Sequence, residues 1–302
     1  MREDTLSIGE LSHRTGVPVR TVRYYCDEGL VEAVRSTGGH RRFGTDAVER
    51  LTLLRRLRTL GLGLAAIRTV LAGKCSLADA AAAERARVDV ELAALAWRRA
   101  SLGAVELAAP EERAARLELL AAAAEGGAAR RTLETFWRRL ALPALPEDGA
   151  AMVVAATVPE PPGDPTPEQV VAYAALVAVV GDPRLRQELG PRLRASAETA
   201  AYQHALLTGG FTEACEDALA RIRAGERPGP GPRADAFAAV HAAARGTSDT
   251  PAFRRALLRT ARADLHPAMR RYWSLVGDLT GEDVTVGEAH SWLLDSLARS
   301  VA

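Results

Sequence analysis

The fold of the N-terminal region is decided by the stretch Thr21-Val22-Arg23-Tyr24-Tyr25, which is followed by Gly29-Leu30 and then by Gly38-Gly39-His40-Arg41-Arg42-Phe43. A short helix with an apolar face precedes this stretch, and turn-forming residues lie between the two. The last run places basic side chains directly after two glycines, as in a short basic wing. This order predicts a helix-turn-helix unit followed by a wing.

The turn and the second helix can be placed residue by residue. Gly16 suits the turn because it tolerates a positive φ, and Pro18 suits the first helical turn because its missing N–H would have no partner there. The helical spacing predicts an inward face that holds Val19, Val22 and Cys26. The outward face is then predicted to hold Arg20, Arg23, Tyr24 and Asp27. Such an Arg/Tyr face is typical of a helix that contacts phosphates and base edges.

At these residues the chain resembles the MerR family of transcription regulators. The matching sequence motifs occur in the same order as in the family. They are Ile8-Gly9-Glu10-Leu11, Thr15-Gly16-Val17, Thr21 to Tyr25, Gly29-Leu30, the wing from Arg35 to Phe43, and Leu60-Gly61 before a helix from about Leu64 to Leu71. They cover roughly the first quarter of the chain. The resemblance implies a winged helix-turn-helix head, a long helix that dimerises as an antiparallel coiled coil, and a C-terminal part that senses an inducer.

The expected DNA contacts follow from the outward face and from the wing match. We expect Arg23, Tyr24 and Arg42 to contact phosphate, and Arg20 and Tyr25 to reach bases or sugars. The full set of expected DNA-binding residues is Arg20, Thr21, Arg23, Tyr24, Tyr25, His40, Arg41 and Arg42.

Charge is distributed unevenly along the chain. Residues 1–74 hold 13 Lys and Arg against 8 Asp and Glu, and the remaining residues hold 26 against 30, so the formal charges are +5 and −4. A basic head on an acidic body is expected when only the head releases counterions from DNA.

Length and composition favour a protein with more than one domain. The 302 residues are 48% hydrophobic, which is enough for a sizeable core. No apolar run of about 18 residues occurs, and no apolar signal region opens the chain. Three widely separated cysteines argue against a disulfide framework. We therefore expect a cytoplasmic protein with no membrane partner.

The rest of the chain reads as helices with one proline-rich interruption. Residues 75–109 are predicted to form a dimerisation helix with a heptad-like seam of Val88, Leu92, Leu95, Leu102 and Val105. Taken alone, this pattern also fits a packed globular helix. Residues 110–142 are expected to be a helical connector and 143–166 a linker that holds at most one short helix or strand. Residues 167–302 are predicted to be an all-helical effector domain, with helices such as Pro167–Val180 and Pro191–Leu207. The predicted fold class is mainly α with a small β-wing.

Aromatic residues suggest where a small molecule binds. Ten of the fourteen lie after residue 130, although for any single one an ordinary core position is more frequent. The candidates with a polar or titratable neighbour are Tyr202, His204, Tyr272, Trp273, His290 and Trp292.

Metal sensing is common in the family, but the thiolates are missing. Cys75 stands near the start of the long helix, and the next cysteine is Cys215, whereas soft-metal sites need two or three thiolates. No histidine is paired with another histidine or a cysteine at i, i+3 or i, i+4 spacing. We predict no metal and no cofactor, and Cys215 is more simply a buried hydrophobe than a reactive thiol.

The leading hypothesis is a dimeric regulator that binds a palindromic promoter operator. It would respond to a small organic ligand, such as an antibiotic or natural product, by distorting promoter DNA for RNA polymerase. The alternative is a ligand-sequestering drug-resistance protein whose DNA-binding head regulates its own expression. No nucleophile elbow, phosphate-binding loop or compact carboxylate pair occurs, so we do not expect an enzyme.

Overall fold

The computed structural model describes residues 5–35, 39–141, 147–188, 202, 205–206, 209–261 and 265–301. Over these residues the chain is mainly helical with one small antiparallel sheet, which confirms the predicted fold class. It divides into two compact units, Met1–Leu92 and Ala93–Ala302. The boundary falls within a single long helix.

The first unit begins with the predicted helix-turn-helix. Helix α1 (Ile8–Thr15) starts with a capping box, in which the Glu10 N–H donates to Ser7 Oγ and the Ser7 N–H donates to the Glu10 carboxylate. It ends at Gly16, whose φ of +66° is the left-handed conformation that favours glycine. Helix α2 (Val19–Asp27) follows after Pro18.

The wing is part of a three-stranded sheet. The strands β1 (Leu6–Ser7), β2 (Val34–Arg35) and β3 (Arg41–Phe43) lie in the order β1-β3-β2, and both pairings are antiparallel. β1 thereby lies beside the wing.

Two helices support the wing and α1–α2. Helices α3 (Asp46–Thr59) and α4 (Leu64–Leu71) supply apolar residues to one core with α1, α2 and β3. Its fully buried members include Leu11, Val22, Leu30, Phe43, Leu51, Leu54 and Ile67. A turn that contains the exposed Lys74 follows α4, and the Lys74 N–H donates to the Thr69 carbonyl.

Helix α5 (Leu77–Glu106) is the long helix predicted from the seam. Between residues 81 and 95 none of its side chains is buried in the chain. Near its C-terminal end the opposite situation holds, because Trp97, Ala100 and Ala104 are buried in the second unit.

The second unit is helical throughout its described residues. Its elements are α6 (Arg113–Ala121), α7 (Gly126–Phe136), a π-helical turn (Trp137–Ala141), α8 (Glu147–Thr157), α9 (Pro167–Gly181), α10 (Phe211–Arg223), α11 (Pro232–Ala244), α12 (Pro251–Thr260), α13 (Pro267–Thr280) and α14 (Val286–Ser300). The expected helix Pro191–Leu207 lies almost entirely outside the described residues.

Two hydrophobic clusters organise this unit. The first contains Trp97, Trp137, Tyr173 and Tyr272, and the second contains Phe237 and Leu294. The described part of the proline-rich segment, residues 147–166, contains α8, whose Val154 is buried in the first cluster.

Candidate functional site

Helix α2 presents an exposed basic face. Arg20 and Arg23 are exposed, and Tyr24 keeps 48% of its surface, while Val22 is fully buried on the other side. Thr21 is half-buried. The exposed face therefore carries two guanidinium groups and one phenol, all accessible to a charged partner.

Tyr25 requires a correction. It is only 9% exposed and belongs to the core of the first unit, so it does not stand on the outward face. The reason is its position three residues after Val22, which places both side chains on the same side of α2. Its carbonyl also accepts hydrogen bonds from the N–H groups of Leu30 and Val31.

The wing arginines are held by specific partners. Arg41 Nη2 donates to Asp27 Oδ1 at 2.6 Å and so joins the wing to the end of α2. Arg42 donates from Nε to Thr5 Oγ1 at 3.3 Å and from Nη2 to the Thr5 carbonyl at 2.9 Å. Arg42 thus secures β3 to the residue before β1, a structural contact that the sequence did not indicate. His40 is exposed at the start of β3.

Four of the expected DNA-binding residues meet at one cavity. It has a volume of about 890 Å³ and lies between the start of α1, the face of α2 and the wing. Its lining residues are Ser7, Ile8, Arg23, Asp27, Gly39, His40, Arg41 and Arg42. Asp27 is the single acid among them, and its charge is matched by Arg41.

Three further arginines serve the scaffold. Arg55 Nη1 donates to the Thr15 carbonyl at 2.9 Å, and Arg50 Nε donates to the Leu30 carbonyl at 2.7 Å. Arg68 Nη2 donates to both the carbonyl and the carboxylate of Glu28. The Thr15 and Glu28 carbonyls lie at the C-terminal ends of α1 and α2, where carbonyls lack intrahelical partners, so Arg55 and Arg68 satisfy them. Three arginines of the first unit therefore support its fold, although Arg55 and Arg68 remain exposed.

Comparison with known proteins agrees with this geometry. Residues 6–74 match the family described as MerR HTH family regulatory protein. The N-terminal domain belongs to the MerR family. No solved structure gives a significant match to the chain.

Several relatives of the chain carry names that refer to regulators or to nodulation. The chain is 40% identical over 87 residues to "Nodulation protein NolA" of Bradyrhizobium sp. (strain NC92), which covers 28% of this chain and 37% of that protein. It is 35% identical over 88 residues to "HTH-type transcriptional activator SoxR homolog" of Chromobacterium violaceum, over 29% and 60% of the two chains. It is 40% identical over 67 residues to "HTH-type transcriptional regulator HmrR" of Rhizobium leguminosarum bv. viciae, over 22% and 52%. The chain thus spans less than two thirds of each of these relatives.

Beyond the MerR-family domain, α5 carries an exposed apolar stripe. Val88, Leu92, Leu95 and Leu102 follow one another at spacings of four, three and seven residues, and each is 39–63% exposed. Arg99 occupies the stripe position between Leu95 and Leu102 and forms an ion pair with Asp164.

Val105 departs from the expected seam. It is half-buried and packs against the first hydrophobic cluster of its own chain. Its face of α5 is the one that also buries Trp97, Ala104 and Ala108, so tertiary packing within the chain occupies it.

Two of the expected ligand residues lie in the first cluster. Tyr272 is fully buried, donates its hydroxyl proton to the Thr157 carbonyl at 2.8 Å, and accepts a hydrogen bond from Trp137 Nε1 at 2.9 Å. Burial raises the pKa of Tyr272 above its ordinary value. The indole of Trp273 fills the space that a Cβ on Gly287 would take. Both aromatic rings are core elements.

Two other candidates, Tyr202 and His290, lie near His241, which the sequence analysis did not select as a ligand residue. His241 of α11 is 5% exposed, and its Nδ1 lies 2.6 Å from the Tyr202 hydroxyl. Its ring packs on Phe237 with centroids 4.5 Å apart, and the His290 ring packs on the same phenylalanine at 5.7 Å. His204 lies outside the described residues. Tyr272 and Trp273 pack in the first cluster, whereas Tyr202 and His290 lie at His241 and Phe237, so the described candidates do not converge on one pocket.

Burial governs the protonation of His241. Desolvation, reinforced by His290 and Arg245, lowers the pKa of His241 to about 3. Its Nε2 atom is buried and has no hydrogen-bond partner in the part of the chain that the structure describes. A sequence signal for this cluster around His241 is the spacing of Phe237, His241 and Arg245, which follow one another at four-residue steps along α11 and its C-cap. In the structure the Arg245 guanidinium lies 4.0 Å from the centroid of the Tyr202 ring. Trp292 stands apart and donates from Nε1 to the Glu226 carbonyl at 3.2 Å.

The three cysteines differ in burial: Cys215 is buried, and Cys26 and Cys75 are half-buried. Burial raises the pKa of the Cys215 thiol to about 12, which keeps it protonated. Among the described residues no group of three His, Cys, Asp or Glu side chains could hold a metal ion. Within that same part of the chain, every helix is too short or too polar to cross a bilayer.

Proposed function

We propose that this protein is a transcription regulator that binds a palindromic promoter operator as a homodimer and responds to a small organic ligand. The observation that carries the proposal is the exposed Arg20, Arg23 and Tyr24 face of α2, which lies beside the wing in a MerR-family domain. RNA polymerase at the same promoter is the further partner that this function requires.

In the proposed complex, the side chains of α2 and of the wing contact different parts of the DNA. A recognition helix that enters the major groove brings its outward side chains to base edges, while a wing and flanking cations contact phosphates. In this proposal Arg20 reaches bases in the groove and Tyr24 contacts phosphate. Arg23 and His40, which line the cavity with Arg41, contact the backbone beside the groove. The Arg41–Asp27 ion pair fixes the distance between wing and helix.

Exposure along α5 supports the homodimer. A helix segment with no buried side chain from residue 81 to 95 gains little from tertiary packing within its own chain. Burying a leucine side chain contributes roughly 1.5–3 kcal/mol, and the stripe offers Leu92, Leu95 and Leu102 on each copy. Pairing through this stripe would present two heads to two half-sites, which raises specificity beyond that of one small head.

The response to a ligand is assigned to the second unit. This unit is much larger than DNA binding or dimerisation requires, and it holds two separate hydrophobic clusters. Distorting promoter DNA costs on the order of 1–6 kcal/mol, which differential ligand binding to two states of the dimer must supply.

The test is selection of duplexes from a random DNA library by the full chain. We expect enrichment of an inverted repeat with two half-sites, and loss of binding to it in Arg20→Ala/Arg23→Ala. Arg255→Ala, an exposed arginine on α12, is the matched control and should bind normally. Selection that enriches no inverted repeat would refute the proposal.

A further inference from the structure

A groove on the second unit is lined by three arginines. It lies between α7, the π-helical turn and the C-terminal end of α9, and has a volume of about 500 Å³. Arg131, Arg139 and Arg186 line it together with Thr132, Thr135, Ala128, Phe136, Val180 and Gly181. Its size falls within the ordinary range of small-molecule sites.

The positive charge of this groove is not compensated. Neighbouring arginines on the same stretch are paired, since Arg130 contacts Glu134 and Arg138 contacts Glu147. No carboxylate lines the groove, and none in the described residues lies within ion-pair distance of the three lining arginines. Like charges held together without a counter-charge attract anions. This concentration stands out because residues 75–302 carry a formal charge of −4, from 26 Lys and Arg against 30 Asp and Glu.

The available donors suit a planar or tetrahedral anion. Arg131 and Arg139 donate no hydrogen bond to the described residues, and Arg186 uses only Nη2, which donates to the Gly181 carbonyl at 3.0 Å. The remaining guanidinium N–H groups can bind a carboxylate or phosphate in pairs. Arg139 lies in the π-helical turn, a rare arrangement that concentrates at functional sites.

The other lining residues define the rest of the ligand. Thr132 and Thr135 donate their hydroxyl protons to the carbonyls of Ala128 and Arg131, so their oxygens remain as acceptors. Phe136 and Val180 supply apolar surface. A ligand that fits all three features has an acidic group, a hydroxyl or N–H donor and a hydrocarbon part.

We propose that this groove binds small organic anions through a carboxylate or phosphate group on Arg131, Arg139 and Arg186. The inference rests on the proposed function and deepens it, because it assigns the effector to the chemical class of organic acids or phosphate esters. The limited volume of about 500 Å³ favours a small molecule over a nucleic-acid strand, whose phosphates would need a longer row of cations.

The experiment is calorimetric titration of the full chain with salicylate and with phenyl phosphate, and neutral salicylamide serves as the matched probe. We expect saturable binding of at least one anion at one site per chain, which weakens as salt is added, and no binding of salicylamide. The preference between the two anions separates carboxylate from phosphate recognition.

Variants locate the site. Arg131→Gln/Arg139→Gln should weaken anion binding about tenfold or more, because charge-assisted hydrogen bonds are lost. Arg131→Lys/Arg139→Lys keeps the charge without the paired donors and should lose less. Arg255→Gln should bind like the wild type. Unchanged melting temperatures would show that the variants fold.

Several outcomes would overturn the proposal. They are equal binding of salicylamide, no saturable binding of either anion, or undiminished binding in the double Gln variant. Weaker binding of DNA of unrelated sequence by that variant, without an effect on small anions, would assign the groove to nucleic acid instead. Operator selection by the wild type is measured separately, so failure of the regulator proposal is distinguishable from failure of the anion site.

Discussion

Asp27 at the end of α2 accepts a hydrogen bond from Arg41 of the wing, with 2.6 Å between Oδ1 and Nη2, and so places the single acid of the proposed DNA face against one of its cations. This contact holds wing and helix together. It also withdraws one positive charge from any phosphate that approaches.

Asp27→Asn should therefore strengthen binding to the operator at low salt. Arg41 becomes available to a phosphate, and the slope of log affinity against log salt should steepen by about one unit. Because the pair is exposed, the free energy of unfolding should change by less than about 1 kcal/mol. Fluorescence anisotropy across a salt series measures the slope, and an unaltered slope would show that Arg41 does not reach DNA.

Arg23→Ala and Arg42→Ala should separate binding from structural support. Arg23 is exposed, so its loss should reduce the salt slope by about one unit and leave the melting temperature unchanged. Arg42 is hydrogen-bonded to Thr5, so its loss should lower the free energy of unfolding by about 1–2 kcal/mol. Mobility shifts and thermal unfolding of both variants check the two effects. A stability loss confined to Arg23→Ala, with the slope change confined to Arg42→Ala, would contradict both roles.

Leu95→Glu should prevent the proposed homodimer from forming. The substitution places a charge in the centre of the α5 stripe, where pairing of two copies would bury it. Val90→Glu is the control, since Val90 is 70% exposed but lies off the stripe. Light scattering should report monomers for the first variant and dimers for the second. A stable dimer of Leu95→Glu would place the contact elsewhere.

The stability of the second unit should fall in mild acid because of His241. The folded pKa is about 3 and the ordinary value is 6.5, so between these values the unfolded chain binds the extra proton. Stability is therefore intact above about pH 6.5 and declines as pH falls, and this group alone removes about 2 kcal/mol between pH 7 and pH 5.

The measurement is denaturant unfolding of the full chain at pH 7 and at pH 5. His241→Gln should reduce the difference in stability between the two pH values, whereas His13→Gln, which changes an exposed histidine of α1, should leave it as in the wild type. An identical pH dependence in His241→Gln and wild type would show that His241 is not buried in its neutral form.

Gly287→Ala should destabilise the second unit. Alanine normally stabilises a helix relative to glycine, but here its Cβ would overlap the Trp273 indole, and such overpacking costs about 1–3 kcal/mol. Gly127→Ala in α7 is the control, because the nearest neighbour of its added Cβ is the flexible end of Arg131. Thermal unfolding should show a lower melting temperature for Gly287→Ala and an unchanged one for Gly127→Ala. Equal melting temperatures would mean that Trp273 moves aside freely.

The sequence predicted the elements whose causes are local. Gly16 and Pro18 mark the turn and the start of α2, and the heptad-like seam predicted α5. The π-helical turn Trp137–Ala141 and the burial of α8 were not predicted, because both depend on packing in the first cluster.

The candidate site was predicted less completely, for the same physical reason. Arg50, Arg55 and Arg68 contact carbonyls 20 to 40 residues away, so no spacing reveals their structural role. His241 meets Tyr202 and Phe211 only after separate segments have packed together. Tyr25 was predicted to contact DNA because it belongs to the family motif Thr21 to Tyr25. Its position three residues after the inward-facing Val22 already favoured burial.

Lys74, exposed in the turn between α4 and α5, is the sole lysine of the sequence. Arginine keeps its charge at all physiological pH values and does not react with acylating reagents that modify amines. Lysine acetylation therefore cannot neutralise the basic surface of the MerR-family domain. An amine-reactive dye can therefore label each chain at Lys74 and, besides it, only at the α-amino group. Energy transfer between dyes on two copies would report directly on their pairing.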